Sequence, residues 1–150
     1  MPALTSAPAA RVLLVSSISQ GYATGLADLT FANDANWSDH RSYSLSKLCN
    51  AMLAFEFAER YGSSTLSFGT LDPGTVNTKM LYAGWGACGI DVSAADNQYH
   101  MLTRDEFSPG NGAVNGVYYV GGRPSRADAP VYDAEARRKL WTELEALVSS

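Results

Sequence analysis

Tyr43 and Lys47 are the residues whose types and spacing best suit chemistry. They stand four apart in the pentapeptide YSLSK (43–47), so on a helix they share one face, one turn apart. A free tyrosine has a pKa of ~10 and exchanges protons poorly at neutral pH. An ammonium beside it favours the phenolate and lowers that value. Such a pair can pass a proton to or from a carbonyl or alcohol oxygen. Asn50 falls on the same face, one turn further on. The spacing alone is weak, because a solvated helix face can carry the same two residues. Its context sharpens it. Ser16 and Ser17 close an apolar run upstream, and Pro73-Gly74 comes after another run downstream. In open parallel sheets ligands bind at the carboxyl ends of strands, and both places read as such ends.

The elements that must position these groups can be read from pattern. Residues 11–17 (RVLLVSS) form a short, continuous apolar run that suits a strand buried on both faces. Residues 18–42 are a long connection rich in Gly, Asn, Asp and Ser, and connections of that length in a compact domain are usually functional. Ser38 or Asp39 can cap the helix that the pattern predicts over 41–60. Leu45, Leu48, Cys49 and Met52 recur at helical spacing there, and so do Ala51, Ala54, Phe55 and Ala58. A helix that is apolar on so broad a face is clamped between layers. Gly62 ends it. Residues 65–71 and 117–120 are the second and third strand candidates, with an Asp-Pro-Gly turn signal at 72–74. Residues 79–112 read as irregular, with a short helix near 93–103, and residues 133–148 as an amphipathic helix. The first ten residues read as a frayed end. Strands and helices alternate, which predicts α/β with a parallel sheet of about three strands, small for its class.

Composition excludes several roles. The chain has 150 residues, the size of one ordinary domain, with a net charge of −4. It has no basic run, which argues against a nucleic-acid partner. No apolar stretch approaches the ~18 residues of a membrane helix. Cys49 and Cys88 form no CxxC pair and suit a reducing, cytoplasmic setting. With two histidines, His40 and His100, the chain lacks zinc-site spacing, so no metal is expected.

Taken together, these motifs resemble the short-chain dehydrogenase/reductase family. VSS (15–17) is similar to the family's catalytic-serine strand end, with Ser17 matching the active serine. YSLSK matches its tyrosine–lysine motif, and SKLCN (46–50) is similar to the retinol-dehydrogenase and WW-domain-oxidoreductase branch. LDPGTVNT (71–78) resembles the proline–glycine motif, and 133–148 the branch's final helix. The resemblance implies hydride transfer between NADP or NAD and a small lipophilic carbonyl or alcohol. It implies Tyr43 as general acid or base, Lys47 as its modulator and as holder of the nicotinamide ribose, and Ser17 as donor to the reacting oxygen. Pro73, Gly74, Val76 and Thr78 would line the nicotinamide pocket, with Thr78 on the carboxamide. Residues 80–112, with Trp85, would form a mobile substrate loop; the residues alone equally allow Trp85 to be a packing aromatic. A homodimer through the 41–60 helix is implied as well.

The family pattern is present in its second half only. No G-x-x-x-G-x-G occurs in the chain. By resemblance, the fold is the C-terminal half of a Rossmann-like doubly wound sheet, and residues 1–150 are one partial domain lacking the glycine-turn half. Met1 would then be an internal methionine of a longer reading frame. The residue that selects NAD or NADP would be missing, and the 11–17 strand would carry a raw apolar edge. The expectation is a chain that is inactive or nearly so alone. The alternative is a fragment or pseudoenzyme that binds no cofactor and acts only by protein association.

Overall fold

The computed structural model describes residues 2–23, 37–110 and 115–149. Among them one four-stranded sheet forms in the order β1-β2-β3-β4, with β1 at Ala10–Val15, β2 at Leu66–Asp72, β3 at Val117–Val120 and β4 at Arg123–Ser125. β1, β2 and β3 are parallel, in the register Ala10↔Leu66 through Val15↔Leu71 and Gly69↔Val117 through Asp72↔Val120. β2 lies between two neighbours and is buried at every position, which is why LSFGTLD shows no polar alternation. The helices are α1 (Pro2–Ser6), α2 (Asp39–Tyr61), α3 (Lys79–Gly84), α4 (Asn97–Thr103) and α5 (Ala134–Val148).

Consecutive tyrosines of β3 divide the core. Tyr118 packs with Leu48, Ala51 and Met52 of α2, and with Val131 and Leu140. Tyr119 points to the other face, where Leu71, Met101 and Phe107 gather. Helical segments therefore cover both faces of a mostly parallel sheet, an arrangement compatible with a Rossmann-like fold.

α2 starts where its sequence says. The Ser38 hydroxyl accepts from the Arg41 N–H at 3.3 Å, and Asp39 sits in the first turn. It ends at Gly62, whose φ of −62° needs no glycine. The need is space: a Cβ there would lie 2.0 Å from Asn115 Nδ2. The apolar stripe of α2 faces β2, and α5 packs on its flank, giving the clamped helix that the sequence implies.

Several details differ from the expectations. The strands end at Val15 and Asp72, so Ser16 and Ser17 follow β1 rather than belonging to it, though the Ser16 amide still makes the last rung. The first residues form α1, with Leu4 and Ala7 packed against Ala10, Leu66 and Phe68, instead of fraying. The short helix starts at Asn97, after a single turn of 3₁₀ helix at Val92–Ala94. β4 is a fourth strand, antiparallel to β3 across Gly121-Gly122. Both glycines have positive φ, +57° and +72°, as a tight hairpin of two residues requires. Its Pro124 is tolerated because the strand is an exposed edge. β1 forms the opposite edge, paired on one side among the described residues, and only Ala10 in it is buried, so the 11–17 run is not the strand buried on both faces that its apolar pattern suggests. Residues 24–36 of the long connection lie outside the described residues.

A charged cluster ties α5 to α2. Glu56 is 2% exposed and meets Arg60 Nε at 2.6 Å and Arg137 Nε at 3.4 Å. Arg137 also reaches Glu59 and donates to the Val131 carbonyl at 2.9 Å. Removing one member strands a buried partner charge, which costs about 3 kcal/mol or more. Glu56→Ala is expected to lower unfolding free energy in urea by that amount. Lys139→Ala, which breaks an exposed pair on α5, should change it by less than about 0.5 kcal/mol.

Candidate active site

The strand ends set the site. Ser16 N–H donates to the Leu71 carbonyl at 2.7 Å, the last rung between β1 and the end of β2. Beyond it the chain after β1 enters a 3₁₀ turn at Ile18–Tyr22, capped by Ser17, whose Oγ accepts from the Ser19 N–H at 3.1 Å. With a lone pair so occupied, the Ser17 hydroxyl keeps its hydrogen to donate. Ser16 is spent otherwise: its Oγ donates to the Lys47 carbonyl at 2.7 Å and it is 1% exposed. Of the two adjacent serines, Ser17 is the one with a hydrogen to offer.

α2 brings its polar face to the same place. Lys47 Nζ lies 5.4 Å from the Tyr43 ring centroid and donates to the Val15 carbonyl at 3.4 Å. Asn50 Nδ2 donates to that carbonyl at 2.9 Å. Asn50 thus satisfies an acceptor on the open edge of β1 and stitches the helix to the strand end. Partial burial of Lys47 pulls its ammonium pKa below the usual 10.5.

The third wall comes after β2. Gly74 has φ +81°, the left-handed region that glycine enters freely, directly after Pro73. Asp72 accepts from two backbone N–H groups, Ile18 through Oδ1 and Gly74 through Oδ2, each at 2.9 Å. Asn77 clamps the segment onward. Its side chain donates to the Gly89 carbonyl at 2.8 Å and accepts from the Gly89 N–H at 2.9 Å. Residue 89 must be small, since a Cβ there would stand 2.5 Å from the Thr75 carbonyl oxygen. Thr78 caps α3 by accepting from the Leu81 N–H at 3.3 Å, again with its hydroxyl hydrogen left over.

Ser17, Tyr43, Lys47, Pro73, Gly74, Val76 and Thr78, all singled out on sequence, line one cavity of about 600 Å³. Met80, Leu81, Trp85 and Val92 give it an apolar portion. Trp85 is both a lining residue and a packing aromatic. It meets Tyr43 edge-on at 5.2 Å and His40 at 4.9 Å between ring centroids. Among the described residues no group of His, Cys, Asp and Glu could hold a metal ion, and no helix is long and apolar enough to cross a membrane.

Asp72, on the cavity lining, and Asn77, which braces the segment behind it, have roles that the sequence reading does not single out. The Asp-Pro-Gly sequence announces a turn in which aspartate bonds the amide two residues on, so the Gly74 contact has a local signal. The contacts to Ile18 and Gly89 cross between segments and have none.

No family model matches the sequence, and no curated protein matches it. A crystal structure of an uncharacterized protein from Mycobacterium paratuberculosis is similar in fold, with a TM-score of 0.64 and 22% identity over 93% of this chain. The chain spans 50% of that protein's length.

The two thiols differ in a way that labelling can read. Burial pushes Cys49 up to about 11, while Cys88 is exposed on the cavity lining. The thiolate is the reactive form. At about pH 8 a chromogenic disulfide reagent should modify one thiol in the native chain and a second after denaturation. Cys88→Ser should abolish the native reaction.

Proposed function

We propose that this chain carries the catalytic part of an NAD(P)-dependent oxidoreductase of the short-chain dehydrogenase/reductase type, acting on a small lipophilic carbonyl or alcohol. One observation carries the reading: seven residues chosen from three separated sequence motifs line a single cavity at the carboxyl ends of β1 and β2. The apolar side chains of Met80, Leu81 and Trp85 favour a lipophilic substrate over a charged one.

The donor set fits the nicotinamide end of a dinucleotide. Lys47 can offer hydrogens to ribose hydroxyls, and Thr78, its hydroxyl hydrogen unspent, can serve the carboxamide beside the Val76 backbone. The adenosine end is not provided for. The 150 residues contain no G-x-x-x-G-x-G turn, and Lys47 is the one cationic side chain on the cavity lining among the described residues. When bound, the nicotinamide supplies or accepts the hydride.

In reduction, Tyr43 would give its phenolic proton to the carbonyl oxygen; in oxidation it would take that proton back. Lys47 would steady the charge that Tyr43 acquires. Ser17 would donate a hydrogen bond to the reacting oxygen and steady the charge developing there. The Ser19 amide keeps that hydroxyl aimed.

A second reading has its own observation. Without the glycine turn most dinucleotide affinity is lost, so the chain by itself would be a fragment or pseudoenzyme that acts by protein association. Residues 1–150 are one unit in either reading, cytoplasmic, and dimeric if α2 pairs across a two-fold axis.

Titration with NADPH and NADH, followed by nicotinamide fluorescence, tests the proposal. Weak saturable binding is expected, kept in Tyr43→Phe and reduced at least tenfold in Lys47→Ala, with turnover by the purified chain at or near background. No binding by folded protein favours the second reading. Robust turnover by the wild-type chain contradicts it.

A further inference from the structure

We infer that Asp72 is a positioning residue for this site, a side-chain rung that holds the Ser17 loop and the Pro73–Gly74 loop at a fixed spacing. What that spacing serves rests on the oxidoreductase reading above.

The ladder itself shows the substitution. Parallel strands are joined by evenly spaced N–H to carbonyl bonds, taking alternate amides from one strand. The last such bond runs from Ser16 N–H to the Leu71 carbonyl at 2.7 Å. The next amide in sequence of that kind is Ile18, and the ladder would pair it with a carbonyl beyond Asp72. The Ile18 amide instead finds Asp72 Oδ1 at 2.9 Å. Side chain has replaced main chain. The backbone after Asp72 is thereby released to turn away at Pro73-Gly74, and the two loops part to form the cavity between them. Ser17 is the residue between the two tethered amides, held from below by a backbone rung and from above by the carboxylate.

The chemistry of the group supports the role. Asp72 is 8% exposed, and no ion pair reaches it among the described residues. Burying a lone carboxylate is costly unless its oxygens are well bonded. Here each oxygen accepts from a backbone amide, in charge-assisted bonds to two different loops. A local turn needs one acceptor, which serine or asparagine would supply. Gripping a second loop needs a group that accepts through both ends, and among side chains an ionised carboxylate does so without presenting a donor. Among the described residues β1 is paired on one side only, by β2, so within them the strand that steadies the Ser17 loop is β2.

Amide hydrogen exchange by NMR on the 150-residue chain tests the rung, with Asp72→Asn and Asp72→Ala beside wild type. In wild type the amides of Ile18 and Gly74 should be protected. Asp72→Asn keeps its shape but offers one accepting atom. It should hold the local Gly74 contact within about threefold and speed exchange at Ile18 by about tenfold or more. Asp72→Ala should free both amides, while Phe68 and Tyr118 in the strands stay as in wild type. If Gly74 alone responds, Asp72 merely shapes its own turn and the inference falls. If Asp72→Asn loses protection throughout the sheet, the residue serves folding rather than placement, and the inference falls equally. NADPH titration of the same proteins adds the site readout, with at least a fivefold weaker complex expected in Asp72→Asn. Failure of wild type to bind NADPH counts against the oxidoreductase reading, and the exchange result still decides the rung.

Discussion

The parallel pairing of β1 with β2 is the constraint on which the rest depends. Its register stops both strands at one level, Val15 opposite Leu71. The two chains then leave the sheet side by side, and the segment after each strand becomes a wall of the same cavity. A slip of one residue would turn every side chain of β1 to the opposite face. Leu13 would leave the cluster around Tyr119, and Ser17 would no longer stand between the two tethered amides. Thr70 pins the register from the side, donating through Oγ1 to the Leu14 carbonyl at 2.8 Å. Near the other end of β1, Arg11 ties the strand to α4 and the segment after it, donating to the carbonyls of Met101 and Arg104 and to the Ser108 hydroxyl.

α2 serves the core and the site at once, and its sequence is divided accordingly. Leu48, Ala51 and Met52 bury themselves against Tyr118. Tyr43, Lys47 and Asn50 lie one turn apart on another face, at the end nearest the strand termini. The far end of α2 is held by the Glu56–Arg137 cluster, remote in sequence from the tyrosine. Anchoring the helix there leaves the face with Tyr43, Lys47 and Asn50 to the site, while Leu45 and Leu48 in the same turns are buried. The Ser16 bond to the Lys47 carbonyl then fixes the helix along its axis against β1.

Much of this is legible in the amino-acid order, and the boundary is a physical one. Features encoded locally can be read: the serine cap of α2, the buried run of β2, the i, i+4 pair, the Pro-Gly turn. Their meeting at one cavity accords with the rule that parallel strands present ligand sites at their carboxyl ends. Three kinds of feature cannot be read so. β4 is three residues long with a proline inside, too short for periodicity, though the Gly-Gly before it is a hairpin signal. α1 owes its place to Leu4 and Ala7 meeting Phe68 and Leu66, residues far along the chain. The second bond of Asp72 and the clamp of Asn77 on Gly89 join segments whose proximity exists only after folding. Sequence pattern reports what a residue does to its neighbours in the chain; it is silent on what it does across a gap.

The separation between β1 and β2 carries a consequence for the time course of folding. Partners in their ladder lie 56 residues apart, as Thr70 and Leu14 show. Closing a loop of that size is slow beside the winding of a helix, which needs only near neighbours. On a ribosome β1 is made first and must stay unpaired until β2 has been synthesised and freed. Through that interval the edge of β1 that β2 will cover is bare, the condition in which chains join one another. α2, lying between the two in sequence, can wind meanwhile and offer β1 a surface to rest on. A β1 still unpaired is therefore the state of this chain most open to association with another copy.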